Sequence, residues 1–238
     1  IMLGPTLSAL SGLNNSVKRL QNSANNLANV TTSGFKKGKV NSIENKSGVT
    51  QVNSISKINT QGGLIPTNNP LDLAIKGNGF FQVANPNGGI SYTRSGSFKL
   101  NGAGQVVDAS GNSLIPNINV PTQNNGINVG TNGQVSVKTN EELEVAGQIQ
   151  IANFNNPEGL IAVGNNFLNE SIASGAPIFG VPGEGVFGSV LSGFLESSNV
   201  DIAEEMVDQI VSRAAFKANS NIIKTNDEMI GSLLDIKS

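Results

Sequence analysis

Apolar residues at the start of the chain fall on alternating steps of three and four. Leu3, Leu10, Leu13, Val17, Leu20, Ala24 and Leu27 follow that spacing once Thr6 fills one gap. This is a heptad pattern, and it predicts an amphipathic helix from about Pro5 to Ala28. Pro5 suits a first helical turn, where its missing N–H is no loss. The run Thr31-Thr32-Ser33-Gly34 then predicts a break. A second helical period appears near the other end, at Val207, Ile210, Val211, Ala214, Ala218, Ile222, Met229 and Leu233, with Thr225 filling one step. Ser198 or Asn199 is its expected N-cap, and Asp201, Glu204 and Glu205 fit the positive end of the helix dipole. Neither Pro nor Gly interrupts it before Gly231.

Between the helices the period changes. Short β-type runs stand at "LAIKGNGFFQV", "ISYTR", "SFKL", "QVVD", "GINV", "QVSVK" and "GQIQIANF", separated by Gly, Asn and Pro. Asn-Gly recurs at 78–79, 87–88, 101–102, 125–126 and 132–133, and Asn-Gly accepts the positive φ of tight hairpins. The expected fold is therefore α+β: long N- and C-terminal helices pairing as a coiled-coil-like end, with a central, mainly antiparallel β domain. The expected boundaries are 1–35 with 195–238 for the helical assembly end, 36–75 for an extended connector, and 76–194 for a β-rich outer domain. The apolar stripes need cover, either from the β domain or from further copies of the chain.

Composition narrows the chemistry. The 238 residues carry a net charge of −2 with only 13% charged side chains, so no basic field points to nucleic acid. Cys and His are both absent, which removes thiolate and imidazole chemistry and the usual transition-metal ligands. No cofactor, metal or small-molecule substrate is expected. "GEGVFG" (Gly183–Gly188) has the spacing of a dinucleotide-binding turn, but Pro182 before it and Gly193 after it argue against the required strand and helix. Asp72 with Lys76 reads as a turn pair rather than a catalytic one, since nothing nearby would tune either. Glu141, Glu142 and Glu144 lack calcium-loop spacing and read as a solvated turn. Lys36, Lys37 and Lys39 read as charges that blunt an exposed strand edge.

Several stretches, in order, resemble the bacterial flagellar rod and hook family. They are "ANNLANVTTSGFK" after the N-terminal helix, "NPLDLAIKGNGFFQV", "GQIQIANFNNPEGL", the segment from Ala173 to Ile210, and "RAAFKANSNIIKTNDEMIGSLLDI". Together they span nearly the whole chain, and the resemblance is nearest to the distal rod members. Only about three dozen residues separate Phe35 from Leu71, shorter than is usual there, so a proximal rod paralogue or a short hook-type protein stays open beside it. In the C-terminal helix Ala214-Ala215-Phe216 departs from the family's usual sequence.

The resemblance implies a structural axial subunit that self-assembles into a hollow helical tube, transmits torque and passes export substrates. It implies partners among copies of itself, other rod and hook proteins, the flagellar export apparatus and surrounding rings. It places the protein in the basal body, spanning the periplasm after export without a cleaved signal peptide. The two helical stripes become candidate subunit interfaces, and Asn26, Asn29, Gly34 and Phe35 a connector loop touching neighbours. A wall-associated enzyme using Asp72 or Glu158 and a monomeric cap protein are the competing classes.

Overall fold

The computed structural model describes residues 3–44, 50–85, 88–121, 126–139 and 142–235; the side chains of residues 3–5, 44, 50, 142 and 233–235 lie outside that description. The chain forms two compact units. One holds residues 1–30, 37–58 and 200–238, the other residues 31–36 and 59–199.

The first unit contains helix α1 (Leu3–Ala28), helix α2 (Ile202–Asp235) and a hairpin of β1 (Gly38–Glu44) with β2 (Thr50–Lys57). The α1 pattern stops where the sequence predicts. Asn29 and Val30 donate to the Asn26 and Leu27 carbonyls and tighten the last turn. The α2 N-cap is Asp201, not Ser198 or Asn199. Its Oδ1 accepts from the Ala203 and Glu204 amides at 2.8 and 3.2 Å. Gly231 does not end α2, which continues to Asp235. The hairpin lies against α1, where Asn22 Nδ2 donates to the Gly38 carbonyl and Ser42 Oγ to Asn15 Oδ1.

The second unit is built from short antiparallel strands. Strands β3 (Leu64–Pro66) and β4 (Leu73–Lys76) pair with Phe194–Glu196 and Ser189–Ser192, the stretch that leads to α2. Strand β5 (Phe80–Ala84) is central, paired with β6 (Ile90–Thr93), Ser113–Ile115 and Ile151–Asn153. Alternation along β5 sends Phe81 and Phe80 to opposite faces. Phe81 joins Leu73, Ile75, Phe98, Leu114 and Val190 in the larger core and meets Phe98 edge to face at 5.2 Å. Phe80 enters a smaller cluster with Tyr92, Phe154 and Leu168.

Each β-type run of the sequence contains a strand, but the Asn-Gly pairs divide. Asn132-Gly133 closes the hairpin of Ile127–Val129 with Gln134–Thr139, and Gly133 has φ +79°. At Asn101-Gly102 the hairpin is closed too, but Gly104 takes the positive φ. Asn78-Gly79 joins β4 to β5, which do not pair with each other. Asn87 and Asn125 lie outside the described residues.

The expected fold class needs correction. Eighteen strands are present among the described residues, so the sequence between one N-terminal and one C-terminal helix is β-rich. Nor do the helices meet through a leucine seam as in a coiled coil. Leu10 and Val17 are exposed, and so are Val207, Ile210, Val211, Ala214, Ala218, Ile222 and Met229. The positions buried on α1 are Ala9, Ser16, Ser23 and Asn26; on α2 they are Glu205, Ser212 and Asn226. Small residues permit a backbone approach that leucines would block. At Gly12 an added Cβ would lie 2.6 Å from Asn219 Nδ2.

Candidate assembly surface and connector

The α1–α2 pair is antiparallel, with Ser23 beside Glu205 and Gly12 beside Asn219. Buried residues recur at intervals of seven at Ala9, Ser16 and Ser23 on α1, and at multiples of seven at Glu205, Ser212 and Asn226 on α2, where the half-buried Asn219 fills the gap. This seam is offset from the leucine stripe, which leaves two apolar faces uncovered. On α2, Val207, Ile210 and Met229 are each more than half exposed. Leu20 and Val17 line a groove of about 410 Å³ with Ser212, Ala214 and Phe216. Leu13 and Leu27 are partly buried, and Ala24 is exposed. The side chains of Leu3 and Leu233 lie outside the described residues.

At one end of the seam lies a polar cluster. Glu205 is 1% exposed. Its Oε1 accepts from Asn26 Nδ2 at 3.0 Å and pairs with Lys37 Nζ at 3.2 Å. Ser23 Oγ donates to the Glu205 carbonyl at 3.0 Å. Asn26 also exchanges two hydrogen bonds with Gly38, accepting from its amide and donating to its carbonyl. Lys37 reaches Glu204 at 2.8 Å. Burial works against the Lys37 ammonium, but its hydrogen bonds to Glu204 and Glu205 outweigh that and hold its pKa above the usual lysine range. Asn26, expected in the connector loop, thus belongs to the last turn of α1. Asn29 follows the helix and donates to the Asn25 carbonyl.

The connector residues 31–36 belong to the second unit and carry a second buried cluster. Gly34 has φ +69°, and a Cβ there would stand 2.5 Å from the Ser95 amide nitrogen, so only glycine fits. Its N–H donates to the Glu196 carbonyl at 2.8 Å. Phe35 is buried. The Glu196 side chain has no solvent exposure; its Oε1 meets Lys36 Nζ at 2.5 Å and accepts from the Gly62 amide at 3.0 Å. Arg94 Nε lies 3.7 Å from Glu196 Oε2, its guanidinium donates to the Gly77 carbonyl, and it sits over the Phe80 ring. Burial lowers the pKa of Lys36, against the raising pull of the Glu196 carboxylate. The same opposition acts on Arg94, with the same net direction.

Lys36 and Lys37 therefore do not guard a strand edge; each is committed to a buried carboxylate. Glu196, Ser23 and Arg94 went unmarked in the sequence, and Glu205 was read only as an acid suited to the helix dipole, because an isolated Glu or Ser in a helical or strand pattern looks like a solvated one. The usable signal was compositional: with so few charges, the ones near chain junctions had a high chance of being paired.

The enzyme-like motifs lack the required settings. Gly183–Gly188 forms a turn that leads to the strand Ser189–Ser192, with no helix at its end. Asp72 Oδ1 accepts from Asn69 Nδ2, and Lys76 is exposed. Glu158 stands in the short 3-10 turn Pro157–Gly159. Glu141 lies outside the described residues, and Glu144 is exposed on the strand Glu142–Gln148.

Two family descriptions match this chain. Residues 74–137 match the flagellar hook protein FlgE/F/G D1 domain, and residues 191–236 the flagellar basal body rod FlgEFG protein C-terminal region. The chain is 39% identical to the flagellar basal-body rod protein FlgG of Buchnera aphidicola subsp. Acyrthosiphon pisum, over 88% of this chain and 90% of that one. It is 37% identical to the FlgG of Borreliella burgdorferi over 99% of each chain. With the flagellar hook protein FlgE of Salmonella typhimurium it shares 35% identity over 63% of this chain but only 38% of the hook protein.

Proposed function

The chain belongs to the flagellar basal-body rod protein family and is a structural subunit of that rod; from that premise we propose that it polymerises through its terminal helices into a hollow helical tube. The family places it in the flagellar basal body, in assembly with other rod and hook components. The finer reading is that the tube spans the periplasm, passes export substrates along its bore and transmits torque by staying rigid. Copies of the chain, the export apparatus and surrounding rings are its partners, and it works without turnover. The near-complete match of length with the rod relatives, against a small share of the hook protein, favours rod over hook.

One observation carries the reading. The helix pair consumes its small, polar positions internally and leaves Val207, Ile210, Val211, Ile222 and Met229 of α2 exposed. Monomeric proteins rarely leave so much apolar surface in one row without a partner for it. The same row is open to test without disturbing the fold. Ile210→Asp changes an exposed side chain, so the monomer should keep its stability within about 0.5 kcal/mol. In a buried contact between copies, the same carboxylate would be desolvated without a partner. Negative-stain electron microscopy of the full chain should give tubes or ordered filaments, and Ile210→Asp should give soluble, folded monomers. Filaments of normal length from the variant would remove α2 from the interface. Turnover of wall polymer by the parent chain, abolished in Asp72→Asn or Glu158→Gln, would overturn the structural role.

A further inference from the structure

The α1–α2 seam raises a problem of register. On α1 small residues recur at intervals of seven, at Ala9, Ser16 and Ser23, and Ser212 is the small buried residue facing them from α2 among the described residues. Sliding one helix by a heptad, about 10 Å, sets Ser against Ser or Ala again. A seam made of repeats fixes its register poorly unless something unique interrupts it, as one buried polar group does in many helix pairs. Two features interrupt it here. Gly12 makes room for Asn219 by size. At the end of the seam, Glu205 is buried and bonded to Asn26 and Lys37.

We propose that Glu205, with Asn26 and Lys37, is the positioning element that sets the register of the helix pair, and so aligns the apolar faces offered to neighbouring copies. Glu205 meets Asn26 Nδ2, while the Ser23 hydroxyl binds its backbone carbonyl. Asn26 is held in turn by both polar groups of Gly38, at the start of β1. Lys37, next to Gly38, supplies the charge. Lys37 of the hairpin pairs with Glu205 and is shared with Glu204 beside it on α2, while Lys39 of the hairpin, Arg19 of α1 and Asp208 of α2 line the same hollow. Shifted by a heptad, Glu205 would stay in the seam but lose Asn26 and Lys37 together. A buried carboxylate without partners is strongly disfavoured, so the cluster discriminates against shifted registers more than it adds attraction to the right one. The consequence for assembly rests on the polymerisation reading above; the register claim does not.

The chain contains no Cys, so paired nitroxide labels can be placed without background. Labels at Asn14→Cys on α1 and Asn221→Cys on α2 are on exposed positions away from the cluster. Pulsed electron–electron resonance on the full-length free chain should give one narrow distance. In Glu205→Ala, and separately in Asn26→Ala, the distribution should broaden or gain a second peak displaced along the helix axis by about one heptad, roughly 10 Å. Circular dichroism should show the helices retained. A single unshifted distance in both variants would overturn the proposal and leave register to Gly12 and Asn219. Loss of the helical signal in both variants, or a broad distribution already in the parent, would overturn it as well. Because the distance is read in the free chain, a parent that fails to form filaments but loses register in Glu205→Ala would sink the polymerisation reading alone.

Discussion

Removing the Glu196 carboxylate gives the sharpest energetic test of the connector cluster. Its side chain has no solvent exposure and stands between Lys36 Nζ and the Arg94 guanidinium. In Glu196→Ala both cations stay buried without its carboxylate, Lys36 still donating to the Thr60 carbonyl and Arg94 to the Gly77 carbonyl. Breaking a buried charge cluster by deleting one partner costs about 3–5 kcal/mol. For a unit of this size 1 kcal/mol moves the midpoint by roughly 2–4 °C, so a drop of about 6–20 °C is expected. Lys36→Met differs in kind. It leaves Glu196 with Arg94 and the Gly62 amide, a neutral pair, and it sets the loss of the ammonium's hydrogen bonds to Glu196 and the Thr60 carbonyl, about 1.5–3 kcal/mol each, against relief from burying that charge. The expected order is therefore a large loss for Glu196→Ala and a small one for Lys36→Met. The readout comes with the chain. Trp is absent and Tyr92, the single tyrosine, is 2% exposed within the smaller aromatic cluster of the same unit. Tyrosine emission during thermal or urea unfolding thus follows this unit and not the helices. Equal losses for the two variants, or a Glu196→Ala midpoint within about 1 kcal/mol of the parent, would refute the charge argument.

Further outcomes follow from the same contacts. The Lys36 pKa is lowered by burial, so between that value and the ordinary 10.5 the unfolded chain holds a proton that the folded one does not. Stability of the second unit should then rise with pH across that window, and the slope should shrink in Lys36→Met; the comparison belongs below pH 10.0, where Tyr92, with its raised pKa, begins to act the other way. Gly34→Ala forces a side chain into a positive-φ position against the Ser95 amide and should cost at least about 1–3 kcal/mol by the same tyrosine probe. Asp201→Ala removes the α2 N-cap and should lower helix stability by about 1 kcal/mol, read by circular dichroism, with little change at Tyr92.

Much of the element order was legible because local periodicity decides it. The end of α1 at Ala28 and the strands at Leu73–Lys76, Phe80–Ala84 and Gln134–Thr139 all follow from spacing, β-branched content and turn residues. The pairing of the helices was not legible in the same way. Leu10, Val17 and Ile210 mark an apolar face, but hydrophobicity does not say whether that face meets the chain itself or another copy. The inner seam used Ala9, Ser16, Ser23 and Ser212, residues that in a sequence look like a solvent face. Close helix contact selects them by size, which a hydrophobic pattern does not register. The burial of Glu196 and Glu205 was hidden for a related reason. Glu196 and Glu205 differ from Glu204 only in what folds over them, and their partners lie far away in the chain. The α2 cap was misplaced because Ser198, Asn199 and Asp201 are all good caps, and only the backbone direction chooses among them.

The central claim is that the apolar face of α2, open in one copy, is covered by another. A single-cysteine chain carrying Ile210→Cys reads this directly, since no native thiol competes. Its reaction with a thiol reagent should be fast in the free chain and clearly slowed in assembled filaments, because a solvent-open side chain enters a contact packed like a protein interior. Equal rates in the two states would mean that the filament is built on some other surface, and the assignment of α2 to the interface between copies would be wrong.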